Sequence, residues 1–430
     1  MKLQPMTQAE LNEVIRRHHN FLNARINGAR AVVKDRDLTG LSFVGQNLEQ
    51  SDFTGCIMAH ADFTNANFES ATLFGCDFTG AKLMNTRLAR SDMRGAAVGS
   101  ADLSRADLTS ADLREGKTII KRKMKSSDPY SNQDALAGIV QFAGSDLTGA
   151  ILNGATAISA DFSDTVLENA SMQGTNLKGA NLKGADLSNV NLNNSDLRDA
   201  DFSYATMIGA QMSETERSGS NFTLVLTGET IGKDVTDIPL TLDELIIKHT
   251  QWVGTSGRLG KQLVMNEVDF RKGPKLGGQR LTAMRANKCT FAEMDLRGIE
   301  LQGANLDDSD FRKCSMQGAD LRGARLRGAM LHRTNLSRAN MNPLILKKPD
   351  GVIYHIPCRL EQAMLRHALF QGARLMQARF NKCDLAGADF TDCDLRGAVF
   401  LGADLTDTIF ENAILDDTEF DPGKKPQSLT

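Results

Sequence analysis

The feature that most constrains this chain is a period of five. In ANLKGADLSNVNLNNSDLRDADF, from Ala180 to Phe202, a large apolar residue falls on every fifth position: Leu182, Leu187, Leu192, Leu197 and Phe202. Two residues before each stands a smaller one: Ala180, Ala185, Val190, Ser195 and Ala200. An α-helix turns about 100° per residue, so steps of five scatter such residues round its axis. A flat strand sends odd steps to opposite faces. The period fits a backbone that turns a corner every five residues and offers one large and one small side chain inward. Coils of that kind bury their leucines only by stacking, which is the logic of a solenoid.

The register extends over four blocks, with large positions from Leu38 to Leu113, Phe142 to Met212, Leu276 to Met341 and Leu360 to Phe420. Leu, Phe or Met fills 55 of the 58 positions, the exceptions being Val98, Ala157 and Ala286. Phe370, Phe390 and Phe410 are spaced by twenty, as are Phe380, Phe400 and Phe420, which predicts two stacked columns.

The runs ADLTSADLRE, ANLKGADL, GADLRGARLRGA and ADFTDCDLRGAVF resemble the pentapeptide-repeat family, whose motif is A(D/N)LXX. The resemblance implies an all-β solenoid, a right-handed quadrilateral β-helix with twenty residues per coil, and a bacterial source. Some members of that family resemble duplex DNA in shape and charge and bind DNA gyrase or topoisomerase IV. A type II topoisomerase is therefore the alternative partner that the resemblance implies.

Three segments break the period. GKTIIKRKMKSSDPYSNQDALAG, from Gly116 to Gly138, begins basic and ends polar. Between about Ser213 and Lys275, NFTLVLTGETIGKDV reads as a strand pair and TLDELIIKHTQWV as a helix. Thr241 and Glu244 fit a capping box there, while Leu242, Leu245, Ile246, His249 and Val253 follow helical spacing. LILKKPDGVIYHIP, from Leu344 to Pro357, reads as a hairpin turning at Pro349-Asp350-Gly351.

The helical segment has a relative at the N-terminus, after a one-residue slip. Glu13 matches Glu244, His18 matches His249, Phe21 matches Trp252, and Asp37-Leu38 matches Asp269-Phe270. Thr7 and Glu10 supply another capping box. An amphipathic helix before each array is expected to cover an apolar solenoid end. The expected organisation is two capped rods with short capping α-helices. A capping segment (1–35) precedes a first solenoid (36–223, interrupted at 116–137). A β-prone connector with the second capping helix (224–265) leads to a second solenoid (266–421, interrupted by a hairpin at 343–357) and a polar tail (422–430).

Nothing in the sequence marks an enzyme. No HExxH, GxSxG or CxxC occurs. Gly260-Lys261-Gln262 is similar to a P-loop ending, but Thr255 and Gln262 stand where Gly and Ser or Thr are needed. All seven cysteines, Cys56, Cys76, Cys289, Cys314, Cys358, Cys383 and Cys393, occupy the small inward slot and are expected to be buried and reduced. The aspartates beside the repeat leucines are expected to form a solvated face. No catalytic residue, metal or cofactor is expected. The start, MKLQPMTQAEL, lacks an apolar stretch, and no run approaches a membrane span, so a cytoplasmic protein without membrane contact is expected.

Net charge is only −3, which gives no reason to expect direct nucleic-acid binding. The charge is uneven, however. Residues 276–342 carry eleven basic and seven acidic groups, whereas 36–115 carry seven and eleven, 138–223 carry four and ten, and 358–421 carry six and twelve. The expected function is a non-enzymatic scaffold that binds a protein partner through its loops and charged faces. The candidate contacts are Lys117, Lys121, Arg122, Lys123 and Lys125 in the first loop, Lys347, Lys348, Val352 and Tyr354 in the hairpin, and Arg322, Arg325 and Arg327 on the basic block.

Overall fold

The structure is a computed structural model that describes residues 3–116, 139–238, 240–348 and 350–423. The chain divides into two compact units, Met1–Gly228 and Glu229–Thr430. Each has its own apolar core.

In the first unit a ladder of parallel bridges joins each bridge residue to one twenty positions later: Asp52 to Thr72, Ile57 to Asp77, Asp62 to Lys82, Asn67 to Arg87. Every fifth residue makes such a bridge, and the next residue is the large one that turns inward. Phe53 N, for example, donates to Thr72 O at 2.9 Å, and Thr72 N donates back to Ser51 O at 2.8 Å. Between bridges the chain turns. Gln46 N donates to Phe43 O at 3.0 Å, closing a β-turn whose third residue, Gly45, has φ +67°. That left-handed conformation recurs at the corners on Asn65, Ser70, Asn85 and Asp199, which explains the supply of Gly, Asn, Asp and Ser two residues after the large ones.

The inward side chains stack from coil to coil. Phe43 lies on Phe63 at 4.5 Å between ring centres, and Phe142 on Phe162 at 4.8 Å. The two expected columns of the second unit are present, with Phe370 on Phe390 at 4.6 Å and Phe380 on Phe400 at 4.8 Å. Full burial of each such side chain stabilises by about 1.5–3 kcal/mol relative to exposure. The ladder spans both long insertions: Ala97 bridges to Gln141, and Asn340 to Arg374.

One expected element is not formed. The strand pair over NFTLVLTGETIGKDV is instead more ladder: Asn221 bridges to Asp201 and Leu226 to Thr206. Leu224 sits at a corner with φ +55°. The β-prone Leu-Val-Leu sequence serves the five-residue turn, so the ladder passes the expected boundary at residue 223.

Helices α1 (Gln8–Leu22) and α2 (Leu242–Gly254) both begin at the expected capping boxes. Thr7 Oγ1 accepts from Glu10 N, and Glu10 Oε2 accepts from Thr7 N at 2.8 Å; Thr241 and Glu244 repeat the exchange. Leu11, Ile15 and His18 are the buried residues of α1, and Leu242, Ile246 and His249 are those of α2, at identical spacing. A two-residue strand before each helix pairs in parallel with the start of an array. β1 (Gln4–Pro5) pairs with β2 (Arg36–Asp37), and β3 (Lys233–Asp234) with β4 (Val268–Asp269). The remaining strands, β5 (Leu344–Lys347) and β6 (Ile353–Ile356), form an antiparallel hairpin.

Candidate functional site

The hairpin is where the second unit departs most visibly from its own repeat. Leu344 pairs with Ile356, Ile345 with His355, Leu346 with Tyr354 and Lys347 with Ile353. At the tip, Lys348 N donates to Val352 O at 2.9 Å, Asp350 accepts from Val352 N at 3.0 Å, and Gly351 takes φ +86°. The root rests on a corner of the ladder. A Cβ on Gly323 would lie 2.6 Å from Leu344 Cβ and 3.1 Å from Ile356 O, so only glycine admits the hairpin there. Leu344 and Ile356 are half-buried at this contact.

Beyond the root both faces of the hairpin are open. Ile345 and Ile353, on one face, are 61% and 55% exposed; Leu346 and Tyr354, on the other, are 46% and 41% exposed. Val352 is exposed at the tip. Alternation puts neighbouring residues of each strand on opposite faces, so apolar residues on every position cannot all be covered by one surface. Lys348 Nζ sits 4.4 Å from the Tyr354 ring centre, a cation–π contact that fixes the ring, and Lys347 is exposed beside it. Among the described residues the hairpin is a sheet of two strands, which leaves backbone donors and acceptors on its outer edges.

The arginines of the basic block are engaged. Arg322 donates to Asp320 through Nε and Nη2, at 2.9 and 2.7 Å, and this contact holds its guanidinium pKa up. Arg325 pairs with Asp307, and Arg327 Nε lies 3.9 Å from Glu361. Arg322 precedes Gly323 and so flanks the hairpin root. The first-loop candidates, Lys117, Lys121, Arg122, Lys123 and Lys125, lie outside the described residues.

The seven cysteines are buried and unpaired. Six donate their thiol to a carbonyl of the previous coil, as Cys76 does to Phe53 O at 3.0 Å and Cys393 to Phe370 O at 3.0 Å. Burial pushes the thiols up, to about 11 for Cys56 and Cys289 and about 12 for Cys383 and Cys393. Among the described residues no group of three or more His, Cys, Asp or Glu is placed to hold a metal ion.

Comparison with known families agrees with the ladder. The profile described as Pentapeptide repeats matches residues 141–179, 180–216 and 304–342, and the Pentapeptide repeat region matches 46–119 and 358–420. The chain belongs to the pentapeptide-repeat family. Its fold is a solenoid of the right-handed β-helix type. Solved structures similar to this pentapeptide-repeat protein include QnrB1, a plasmid-mediated fluoroquinolone resistance protein, at 19% identity over 44% of this chain and 91% of QnrB1, with a TM-score of 0.25. HetL, a pentapeptide repeat protein involved in heterocyst differentiation regulation from the cyanobacterium Nostoc sp. strain PCC 7120, is 20% identical over 93% of this chain and 94% of its own, with a TM-score of 0.16. A pentapeptide repeat protein from the Arabidopsis thaliana thylakoid lumen is 27% identical over 36% of this chain and 68% of its own, with a TM-score of 0.14. No curated protein matches.

This pentapeptide-repeat protein also carries two side-chain devices that spacing alone does not reveal. The aspartates expected to form a solvated face are part of the turns. Asp62 accepts from the backbone N–H and hydroxyl of Thr64, at 3.0 and 2.7 Å, and the same bonds recur on Asp77, Asp107 and Asp404. Where Arg replaces Thr, the guanidinium makes a fork to the carboxylate, as in Asp112–Arg114, Asp196–Arg198, Asp295–Arg297 and Asp394–Arg396. The recurrent Asp-Leu-Arg triplet is the sequence signal of this pairing. The second device is the inward small slot, where Thr86, Ser195 and Thr334 use their hydroxyls as the cysteines use their thiols.

Proposed function

We propose that this pentapeptide-repeat protein is a non-enzymatic scaffold that docks a protein partner on the β5–β6 hairpin. The observation that carries the reading is the exposure of Ile345, Leu346, Val352, Ile353 and Tyr354 on a short sheet whose root is fixed by Gly323. Lys347 and Lys348 favour a partner with carboxylates beside its apolar contact. In this reading Arg322, Arg325 and Arg327 form the rim, presenting ion-paired guanidinium groups instead of bare charge. Lys117, Lys121, Arg122, Lys123 and Lys125 form a second contact for an anionic surface.

The reading includes the architecture. The coils are quadrilateral, α1 and α2 act as lids, and the units act as two capped rods with limits near residues 36–223 and 266–421. The unpaired thiols suit a reducing compartment such as the cytoplasm. No helix among the described residues is long and apolar enough to cross a membrane.

A second reading rests on charge. Residues 36–115 and 138–223 together hold 21 acidic and 11 basic side chains, as a protein that imitates DNA towards gyrase or topoisomerase IV would require. Inhibition of gyrase supercoiling by the purified chain, reversed by salt, is its expected result; unchanged supercoiling at excess protein excludes it.

The hairpin is tested by photo-crosslinking in the source cells. A benzophenone side chain at position 353 should trap one dominant protein, and the same group at position 396, on the ladder, should not. Equal yields from both positions would remove the hairpin from the account.

A further inference from the structure

The segment leading into α2 differs from that leading into α1, and the difference opens a cavity of about 760 Å³ in the second unit. Strand register identifies what is missing. Gln4 pairs with Arg36 in the first unit, and Lys233 with Val268 in the second, so Val268 stands where Arg36 stands. Arg36 folds over its strand and donates to the carbonyls of Gln4 and Pro5 at 3.1 and 3.0 Å. Val268 has no such reach.

The route from strand to helix also differs. In the first unit only Met6 separates β1 from the capping Thr7. In the second, a single 3-10 turn, Val235–Asp237, and the residues after it separate β3 from Thr241. The cavity lies where these two changes meet.

Its lining has two chemistries. Leu263, Met265 and Val268 are buried, and Leu245 and Ile238 are half-buried, so the floor is apolar. Lys233, Lys248 and Lys261 line the same space from β3, α2 and the segment after α2, and all three are exposed residues. None of the three has a carboxylate partner among the described residues. Of the two acidic groups at the cavity, Asp234 is occupied by Lys272, at 3.1 Å, and by the N–H and hydroxyl of Thr236. Asp237 offsets one lysine charge, which leaves the mouth cationic. The volume lies within the range of small-molecule sites, which are mostly apolar with a few convergent polar groups.

We propose that this cavity binds an amphipathic organic anion, with a carboxylate or sulfonate head among the three lysines and an apolar body against Leu263, Met265 and Val268. The proposal is independent of the hairpin, because none of its residues belongs to β5 or β6.

The test uses the full chain with decanoate as the probe, followed by displacement of 8-anilinonaphthalene-1-sulfonate fluorescence and by calorimetry. One saturable site per chain is expected. Lys248→Glu with Lys261→Glu should raise the decanoate Kd at least tenfold and leave decanol binding within twofold. Val268→Arg, which installs the residue of the first unit, should abolish binding of both. Circular dichroism and Tm check each variant, and the lysine pair, being exposed, keeps the test valid where Val268→Arg disturbs the fold. Absence of a saturable site, or a decanoate Kd within twofold of the parent in the lysine variant, would overturn the proposal.

Discussion

The two helix-led entries of this protein, one before each array, share a latch and differ in what surrounds it. In the first, His18 Nδ1 accepts from Ala31 N at 3.0 Å, and the imidazole stacks on Phe21. In the second, His249 Nδ1 accepts from Leu263 N at 3.0 Å and stacks on Trp252. The chain separation is 13 residues in one and 14 in the other, which is the one-residue slip between the two sequences. Leu, Ile and His keep the same buried spacing in both helices. The parts that close the end of a ladder are thus duplicated faithfully. Arg36 against Val268, and a direct strand-to-helix step against a 3-10 turn, are free to diverge because the latch does not use them.

The comparison breaks most readily at the buried leucines. Leu11→Ala and Leu242→Ala should each cost about 2–5 kcal/mol, since each empties space in its own core. Hydrogen exchange read by mass spectrometry should show Leu11→Ala loosening coils near residues 32–60, and Leu242→Ala those near 264–290. Loss of protection in the other unit's coils instead would mean the helices do not act locally.

Acid sharpens the comparison next. Burial lowers the pKa of His18 and of His249 below the usual imidazole value near 6.5. The unfolded chain therefore takes up these protons first. Their contribution is fully present above about pH 6.5 and is lost as the pH falls below that value towards the folded pKa. Denaturant titrations at pH 7.5 and pH 5 should show lower stability at pH 5, and each His→Asn variant should flatten that dependence by up to about one proton. An unaltered slope in both variants would count against buried neutral imidazoles.

The caps come third. Thr7→Ala and Thr241→Ala should each destabilise by about 0.5–2 kcal/mol, measured by thermal unfolding, with Ser in place of Thr restoring most of the loss. The smallest effect is expected from thiol reagents. With the thiols buried and their pKa values raised, none of the seven cysteines should react in the native state at pH 7.5, and all should react in denaturant. Rapid native labelling of Cys56 or Cys289 would show that the ladder opens beside the entry segments.

Much of this was legible in the sequence because the period of five is itself a packing rule. Large residues at fixed spacing have one way to be buried, and Thr7, Glu10, Thr241 and Glu244 announce helix starts by local chemistry. The hairpin was readable for the same reason: two β-prone arms flank an Asp-Gly turn. The extra ladder over residues 216–226 was hidden because Arg217 and Thr227 stand where large apolar residues are expected, and Leu-Val-Leu reads as a strand. The Asp-Leu-Arg forks were visible as a recurring triplet, but their role depends on a turn that places a backbone N–H and a guanidinium on one carboxylate. The cavity beside α2 was not legible. It depends on Val268 occupying the register of Arg36, and that equivalence exists only once β3 and β4 are paired.

The central claim is that function sits where the period breaks, at the hairpin. The most direct measurement is quantitative affinity capture from the source cells, comparing the parent chain with Ile345→Ser/Ile353→Ser at matched Tm. Both side chains are exposed, so the variant should retain the fold. The account predicts a partner at near-stoichiometric yield with the parent and at least a tenfold loss with the variant. The same partner at the same yield on both would contradict it.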